Sequence, residues 1–271
     1  MDGSVEDIGE RLRATAGDQK WTTERVVSVD YWTPTMLSFR TTRDERFRFT
    51  PGHYARLGLV SDGGELVWRP YSMVSAPSDE QLEFLAVLVP DGAFSRALAK
   101  LRPGDVVHVE RGSFGFLTVD QLATGRDLWM LASGTGLGPF VSILRDPAVW
   151  FAFERLIVVH SVRQTAELAY RGELAALAER DGAARREAQL RYLPVVTRAP
   201  GATPLAERIP QLLANARLEE AAGTPLGVET SRLMICGNPE MARELRQMLG
   251  ARGFATSRRG VPGQMAFEKY W

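Results

Sequence analysis

Hydrophobic and polar residues alternate in short runs over the first part of the chain, from Thr22 to about Val119. Alternation with a period of two is typical of strands that bury one face. Turn sequences rich in glycine, proline and aspartate separate the runs. The pattern predicts six strands, at residues 25–30, 36–41, 53–60, 66–74, 82–89 and 106–110. Six strands with one helical insertion, at residues 95–101, predict a small antiparallel β-barrel.

The pattern changes after Gly125, where compact apolar runs alternate with helical segments. Such alternation predicts a parallel sheet of about five strands flanked by helices, with strands at 128–132, 156–160, 191–197, 233–236 and 265–267. Helices are expected through Leu144, from 166 to 180 with Thr165 as cap, and at two cap-and-proline sequences, Thr203-Pro204 and Asn238-Pro239. We therefore predict an N-terminal tail (1–21), a barrel domain (22–122) and an α/β domain (123–271).

Composition narrows the class of protein. The 271 residues include 33 Lys plus Arg and 33 Asp plus Glu, and this balance argues against nucleic acid as the main partner. A single cysteine, Cys236, excludes an intrachain disulfide and a cysteine-ligated iron–sulfur cluster. The three histidines are His53, His108 and His160. They lack the spacing of metal ligands, so we expect them to be structural and predict no metal site. Without a secretory signal or an apolar run near the roughly 20 residues of a membrane span, we expect a cytoplasmic protein without stable membrane association.

The segment Trp68-Arg69-Pro70-Tyr71-Ser72 places a cation, an aromatic ring and a hydroxyl within a few residues. On a strand, Arg69 and Tyr71 share one face and lie about 6.5 Å apart. A guanidinium binds a pyrophosphate through two parallel hydrogen bonds, and a phenol ring stacks on a heteroaromatic ring. The segment therefore predicts a binding site for a flavin nucleotide.

A glycine-rich loop, Ser133-Gly134-Thr135-Gly136-Leu137-Gly138-Pro139, follows the first strand of the second domain. Its spacing is neither the dinucleotide fingerprint nor a P-loop. A simple turn explains one or two glycines, whereas three favour a bound phosphate or dinucleotide. The sequence Cys236-Gly237-Asn238-Pro239 follows the fourth strand, so both loops should open at one edge of the sheet. For Cys236, a ligand-facing role and a place in the core stay equally open.

Arginines follow the next strand ends: Arg163 after the second, Thr197-Arg198 after the third and Arg208 behind it. Surface arginines are usually solvated when single, but this grouping suggests recognition of an extra phosphate, such as the 2′-phosphate of NADP. A second group of arginines comprises Arg40, Arg43, Arg46 and Arg48. It is interpreted either as a solvated loop or as a docking surface for an acidic partner.

Four motifs in this order resemble the bacterial ferredoxin/flavodoxin–NADP reductase family over residues 22–271: Arg69-Pro-Tyr-Ser-x-x-Ser, Ser133-Gly-Thr-Gly-x-Gly-Pro, Cys236-Gly-Asn-Pro and Glu268-x-Tyr-Trp. The resemblance implies an FAD-binding antiparallel barrel followed by an NADP-binding α/β domain. It also implies an FAD-dependent enzyme that passes electrons between NADP(H) and ferredoxin or flavodoxin. A monomer is expected.

The resemblance also implies roles for particular residues. FAD would be bound by Arg69, Pro70, Tyr71, Ser72, Leu85, Ala86, Val87, Leu88, Ala93, Phe94, Ser95, Thr135, Tyr270 and Trp271. NADP would be bound by Gly134, Thr135, Gly136, Arg163, Thr197, Arg198, Arg208, Cys236, Gly237 and Asn238. The catalytic residues would be Ser72, Cys236, Glu268 and Tyr270, of which Tyr270 covers one face of the flavin and must move to admit nicotinamide.

Two other functions stay open at this stage. One is a stand-alone NAD(P)H reductase component of an oxygenase, or a flavin reductase, although the chain lacks the cysteines for the iron–sulfur domain that such reductases often carry. The other is a flavin-binding module without turnover, which the glycine loop and the arginine group disfavour because such a module has little need of a coenzyme site.

Overall fold

The computed structural model describes residues 20–180 and 187–269. Residues 1–19, which form most of the predicted tail, lie outside the described residues, as do Tyr270 and Trp271. The first part of the described chain folds into six strands: β1 (Trp21–Thr33), β2 (Met36–Thr41), β3 (Tyr54–Val60), β4 (Leu66–Ser72), β5 (Leu82–Val87) and β6 (Val106–Phe114).

These six strands form one antiparallel sheet in the order β4-β3-β6-β1-β2-β5. Its two outer strands meet where Met73 bridges Phe84 and the Val74 amide donates to the Glu83 carbonyl at 2.8 Å. The sheet therefore curls on itself, and the predicted barrel is confirmed. Buried side chains such as Leu57 fill its interior, and α1 (Ala93–Leu98) packs against β3 and β4.

The second part contains five strands in a parallel sheet of order β11-β10-β7-β8-β9, as predicted. The strands are β7 (Asp127–Ser133), β8 (Arg155–Val162), β9 (Gln189–Val196), β10 (Ser231–Gly237) and β11 (Met265–Lys269). The helices are α2 (Gly138–Arg145), α3 (Pro147–Ala152), α4 (Arg171–Ala178), α5 (Ile209–Ala214), α6 (Arg217–Ala222) and α7 (Pro239–Ala251). No helix of the described residues is long and apolar enough to span a membrane.

Each face of the parallel sheet buries an apolar cluster, because strands covered on both sides are hydrophobic throughout. One of these clusters extends into the barrel, where it includes Met36, Val74 and Leu85 together with Leu137 and Phe140 of the second part. We call these five residues the shared core. The shared core packs the barrel against the sheet beside the glycine loop.

The helix predicted to start at Thr203-Pro204 was wrong, since α5 begins at Ile209. The Thr203 hydroxyl does not cap a helix: it accepts from the Val196 amide at 3.0 Å and donates to the Leu205 carbonyl at 2.6 Å. Leu205 in turn bridges Val195, so the segment runs beside β9 instead of coiling. The cap predicted at Asn238 is confirmed, because its side chain accepts from the amides of the first turn of α7.

The helix predicted over residues 166–180 is divided. A short 3₁₀ turn spans Thr165–Glu167, and α4 starts only at Arg171. The cap predicted at Thr165 was wrong, because Gln164 caps this turn through a capping box with Glu167. Tyr170, the N-cap of α4, adopts a φ of 57°, a left-handed conformation that separates α4 from the preceding turn. The hydrophobic spacing gave no sign of this break.

Candidate active site

The segment of β4 from Arg69 to Ser72 lies at an open edge of the barrel. Arg69 pairs with Leu57 and Tyr71 with Ala55, so both side chains point to the interior face, as the alternation predicts. The Arg69 side chain is nonetheless exposed, and its Nη1 donates to the Trp68 carbonyl at 2.8 Å. The guanidinium therefore stands at the mouth of the barrel, within reach of solvent.

Tyr71 packs nearly parallel to Phe94 of α1, with ring centroids 5.5 Å apart and planes inclined by 27°. Burial raises the pKa of Tyr71 to about 12, so the phenol is neutral at physiological pH. The N-cap of α1 is Gly92, which offers no side chain to the first amides of that helix, and the Ser95 hydroxyl accepts from the Val89 amide at 3.0 Å. The predicted segment Ala93, Phe94 and Ser95 thus lies beside the β4 motif.

The other predicted flavin segment is β5 and the residue after it. Leu85 and Ala86 are buried, Leu85 in the shared core and Ala86 in the barrel interior. Val87 and Leu88 are half-buried. Leu85 and Ala86 therefore offer a cofactor their backbone and not their side chains.

The loops after β7 and β10 touch each other. A Cβ added to Gly136 would lie 2.5 Å from the Cys236 carbonyl oxygen, and one added to Gly237 would lie 2.3 Å from the Ser133 hydroxyl. Ser133 also accepts from the Asn238 amide at 2.8 Å. The strand order reverses between β7 and β10, and ligands of open α/β sheets bind at such a point. The shared loop edge predicted from sequence is confirmed.

Glu268 of β11 joins this loop edge to the barrel. It lies in register with Cys236, and the Ser72 hydroxyl donates to its Oε1 at 3.0 Å. Its Oε2 is buried and has no hydrogen-bond partner among the described residues. Burial raises the pKa of Glu268 to about 7, and the Ser72 bond opposes that rise. A carboxyl group in this state exchanges protons near neutral pH, as groups in active sites commonly do.

The arginines predicted for phosphate recognition follow β8 and β9. The Arg198 amide donates to the Arg163 carbonyl at 2.9 Å, so these two residues are adjacent. The Thr197 hydroxyl donates to the Val162 carbonyl at 3.1 Å, and the Arg163 guanidinium bonds Glu167 at 3.1 Å. The structure therefore brings three of the predicted residues together at one end of the sheet.

Arg208, the fourth member of that predicted group, donates to Glu244 of α7 at 3.3 Å. The earlier arginine group also binds its own chain. Arg43 donates to the carbonyls of Pro77, Asp79 and Phe47 at 2.7–2.9 Å. Arg43 is thus an anchor of its loop, which neither of the two sequence interpretations anticipated.

Two residues shape the glycine loop in ways that the sequence analysis did not assign to them: Ser133, quoted only as part of the loop motif, and His160, expected only to be structural. Ser133 bridges the two loops, as described above. His160 is buried at the end of β8 and bonds the Gly134 carbonyl at 3.0 Å through Nε2. Burial lowers the pKa of His160 to about 4, so the ring is neutral and its Nε2–H is the donor. Its position beside the first strand of the sheet was the signal that could have revealed it.

Known proteins with similar sequences decide the family. The family "Oxidoreductase FAD-binding domain" matches residues 22–118, and "Oxidoreductase NAD-binding domain" matches residues 130–247. The flavodoxin/ferredoxin–NADP reductase of Escherichia coli K12 is 40% identical over 252 residues, which are 93% of this chain and 99% of the relative. The chain belongs to the flavodoxin/ferredoxin–NADP reductase family. The reductase is therefore an FAD-dependent oxidoreductase of a nicotinamide coenzyme, and the resemblance read from its sequence is confirmed.

Two further relatives agree. The ferredoxin–NADP reductase of Pseudomonas aeruginosa is 38% identical over 252 residues, 91% of this reductase and 96% of the relative. A crystal structure of a ferredoxin NADP+ reductase from Neisseria gonorrhoeae, with bound FAD and NADP, superimposes with a TM-score of 0.87 at 38% identity. That match covers 94% of this reductase and all of the other chain.

The residues at the site fit both nucleotides. The exposed cation Arg69 and the ring of Tyr71 suit a pyrophosphate and a flat ring. On the other side, Gly136 of the glycine loop packs directly against the Cys236 backbone, and the buried Glu268 Oε2 has no hydrogen-bond partner among the described residues. These features lie where the barrel meets the sheet, which is where a hydride donor and acceptor must meet.

Proposed function

We propose that this reductase moves electrons between NADP(H) and a one-electron carrier, ferredoxin or flavodoxin, by way of FAD. The observation that carries the proposal is the Ser72–Glu268 hydrogen bond, which joins the barrel motif to the loop edge of the parallel sheet. When bound, FAD accepts a hydride and releases electrons singly. One NADPH thereby supplies two electrons to two carriers, and one proton is released.

On this proposal residues 22–122 bind FAD. Arg69 binds the pyrophosphate, Tyr71 stacks on the flavin ring and Ser72 lies beside it. The first turn of α1, at Ala93, Phe94 and Ser95, adds backbone amides next to the same phosphates. Pro70, Thr135 and the backbone of residues 85–88 complete the surroundings, and Tyr270 and Trp271 would cover the flavin and the adenine.

Residues 123–271 bind NADP(H). The loop from Gly134 to Gly136, with Cys236, Gly237 and Asn238, receives the nicotinamide end. Glu268 holds a proton at its carboxyl group, and the Ser72 hydroxyl orients that group through Oε1. Arg163, Arg198 and Arg208, with Thr197, recognise the 2′-phosphate, since guanidinium groups match phosphate geometry.

A carrier protein is supported by a group of one half-buried and two exposed aromatic residues that we call the aromatic rim: Tyr54, Phe114 and Phe116. Tyr54 pairs with both Ser72 and Phe114, so the rim borders the Ser72–Glu268 contact. Phe114 and Phe116 are 43% and 41% exposed, and clustered exposed aromatics mark interaction surfaces. We also assign a monomer in the cytoplasm: the single cysteine is buried, so it offers no exposed thiol for a disulfide between copies, and a free thiol is typical of a reducing compartment.

The experiment separates the two half-reactions under anaerobic conditions. We expect NADPH to reduce the bound flavin in a stopped-flow instrument, and NADH to do so with at least about tenfold lower kcat/KM. Reduced enzyme should then pass electrons to flavodoxin or ferredoxin. The variant Phe114→Ser should raise the KM for the carrier and leave ferricyanide reduction unchanged.

Other results point to the alternatives. Faster oxidation by free FMN than by either carrier would indicate a flavin reductase. A bound flavin that NADPH does not reduce would indicate a module without turnover. Release of FMN instead of FAD on heating, identified by mass, would contradict the assignment of Arg69 to a dinucleotide.

A further inference from the structure

A buried carboxylate of the barrel is bound by two side chains from the other half of the molecule. Glu83 of β5 is 5% exposed. The Tyr170 hydroxyl donates to its Oε1 at 2.8 Å, and Arg145 Nη1 donates to its Oε2 at 2.7 Å. We call Glu83, Arg145 and Tyr170 the interdomain clamp.

Tyr170 is held in place from several sides. Its ring lies 5.2 Å from the Trp32 ring of the barrel, and the Arg145 guanidinium lies 5.6 Å from its centroid. Its φ of 57° is a conformation that bulky residues avoid. Such an outlier persists only where the surrounding structure enforces it, and it often marks a functional position.

Arg145 connects the clamp to a second acid and to the barrel backbone. It donates to Glu173 at 2.8 and 2.9 Å and to the Val74 carbonyl at 3.1 Å. Burial lowers the pKa of Arg145, but its bonds to Glu173 and Glu83 outweigh that effect and raise it. The guanidinium therefore stays charged and pairs with Glu83, which Arg40 of the barrel also contacts at the longer distance of 3.4 Å.

The hydrogen bonds of the interdomain clamp depend on direction, whereas the apolar contacts of the shared core do not. Apolar contacts tolerate sliding, because the hydrophobic effect depends on buried area and not on angle. A buried ion pair contributes little net stability but specifies one arrangement of the groups that it joins. The clamp thus selects one orientation of the parallel sheet on the barrel out of those that the shared core permits.

The clamp acts on the same two segments that build the active site. Val74, whose carbonyl Arg145 binds, lies two residues after Ser72. A Cβ on Gly138, at the end of the glycine loop, would lie 3.4 Å from the Val74 side chain. Arg145 is the last residue of the helix that this glycine begins. A displacement of Arg145 would therefore move both the barrel segment after Ser72 and the end of the glycine loop.

We propose that Glu83, Arg145 and Tyr170 are positioning residues for hydride transfer, which hold the glycine loop against the barrel at the distance that the two nucleotide rings require. The proposal rests on the proposed function, because it assumes that NADPH reduces the bound flavin. It assigns the clamp to that half-reaction alone, since electrons leave through the barrel without the coenzyme.

The test uses Tyr170→Phe, which keeps the ring and removes the hydroxyl. The matched control is Tyr192→Phe, because the Tyr192 hydroxyl is buried without a hydrogen-bond partner among the described residues. In anaerobic stopped-flow experiments on the FAD-loaded enzyme, Tyr170→Phe should slow flavin reduction by saturating NADPH about tenfold, because small displacements of reacting atoms are costly. Oxidation of dithionite-reduced enzyme by ferricyanide should be unchanged, and Tyr192→Phe should match the wild type in both steps.

Glu83→Gln is a second variant that keeps the shape of the side chain, and it should slow the same step. If it fails to fold, Tyr170→Phe decides the question alone. Flavin reduction by Tyr170→Phe at the wild-type rate would overturn the proposal. So would an equal loss in both half-reactions, which indicates a merely structural role. A wild-type enzyme that NADPH does not reduce would instead contradict the proposed function, before any variant is made.

Discussion

At the scale of single residues, Glu268 makes the stability of the protein depend on pH. Its pKa is raised from an ordinary value of 4.5 to about 7 in the folded protein. Between these values the folded state keeps a proton that the unfolded state releases, so stability is greatest at the acid end and falls as pH rises towards 7. Integrated over the window, this one group lowers the free energy of unfolding by about 2–3 kcal/mol.

We expect the difference in unfolding free energy between wild type and Glu268→Gln to change by that amount from about pH 4.5 to about pH 7.5. The glutamine does not titrate, so the difference isolates the carboxyl group from every other ionisable residue. Urea unfolding at fixed FAD concentration measures it. A difference that is constant across the window would show that Glu268 titrates normally in the folded protein.

Two other residues, Arg163 and Arg198, should control the choice of coenzyme. A charge-assisted hydrogen bond contributes about 1.5–3 kcal/mol, and a 2′-phosphate interacts alike in the ground and transition states. Replacing either arginine by alanine should raise the KM for NADPH about tenfold or more and leave kcat and NADH turnover nearly unchanged. Arg217→Ala is the control, since Arg217 forms an ion pair with Glu207 and is not among the residues assigned to the coenzyme. Equal KM values for NADPH in all three variants would show that the 2′-phosphate does not bind at this end of the sheet.

At the scale of elements, the glycine loop depends on the missing side chain of Gly136. An added Cβ would lie 2.5 Å from the Cys236 carbonyl oxygen, where only backbone movement relieves the clash. Gly136→Ala should therefore destabilise the protein by about 1–3 kcal/mol and weaken coenzyme binding. Gly172→Ala in α4 is the matched control, because its Cβ meets open space and alanine favours a helix by about 0.5–1 kcal/mol.

Thermal unfolding and titration with NADP+ measure the two glycine variants. A Gly136→Ala protein as stable as the wild type, with unchanged coenzyme affinity, would show that the two loops adjust to a side chain. That result would also show that the fold does not require a glycine at the second glycine position of the loop.

The strands were predictable because alternation follows directly from burial of one sheet face, and the motif from Arg69 to Ser72 was predictable because its residues are consecutive. The start of α5 was not predictable, because the Thr203 hydroxyl bonds to the backbone of Val196 and Leu205, and only the folded chain brings these groups together. The interdomain clamp could not be predicted from the sequence for the same reason. Tyr170 lies 87 residues from Glu83, and no local pattern marks a pair of this kind.

At the scale of the whole molecule, the shared core should make both halves unfold together. Met36, Val74 and Leu85 of the barrel are buried in one cluster with Leu137 and Phe140 of the second half. Val74→Ala should cost about 1–3 kcal/mol, in line with the removal of buried methyl groups. That loss should shift flavin release and the loss of helical circular dichroism by the same number of degrees. Two separate transitions in the wild type would contradict a single cooperative unit.

The hydrogen bond between Ser72 and Glu268 spans 196 residues of the chain. One partner lies on the barrel strand β4, and the other lies on β11, an edge strand of the parallel sheet. A chain cut before Met265 therefore keeps the whole motif from Arg69 to Ser72 and loses the carboxyl group that this motif contacts. On the proposed function, such a truncation separates the residues assigned to the flavin from the acid assigned to proton exchange.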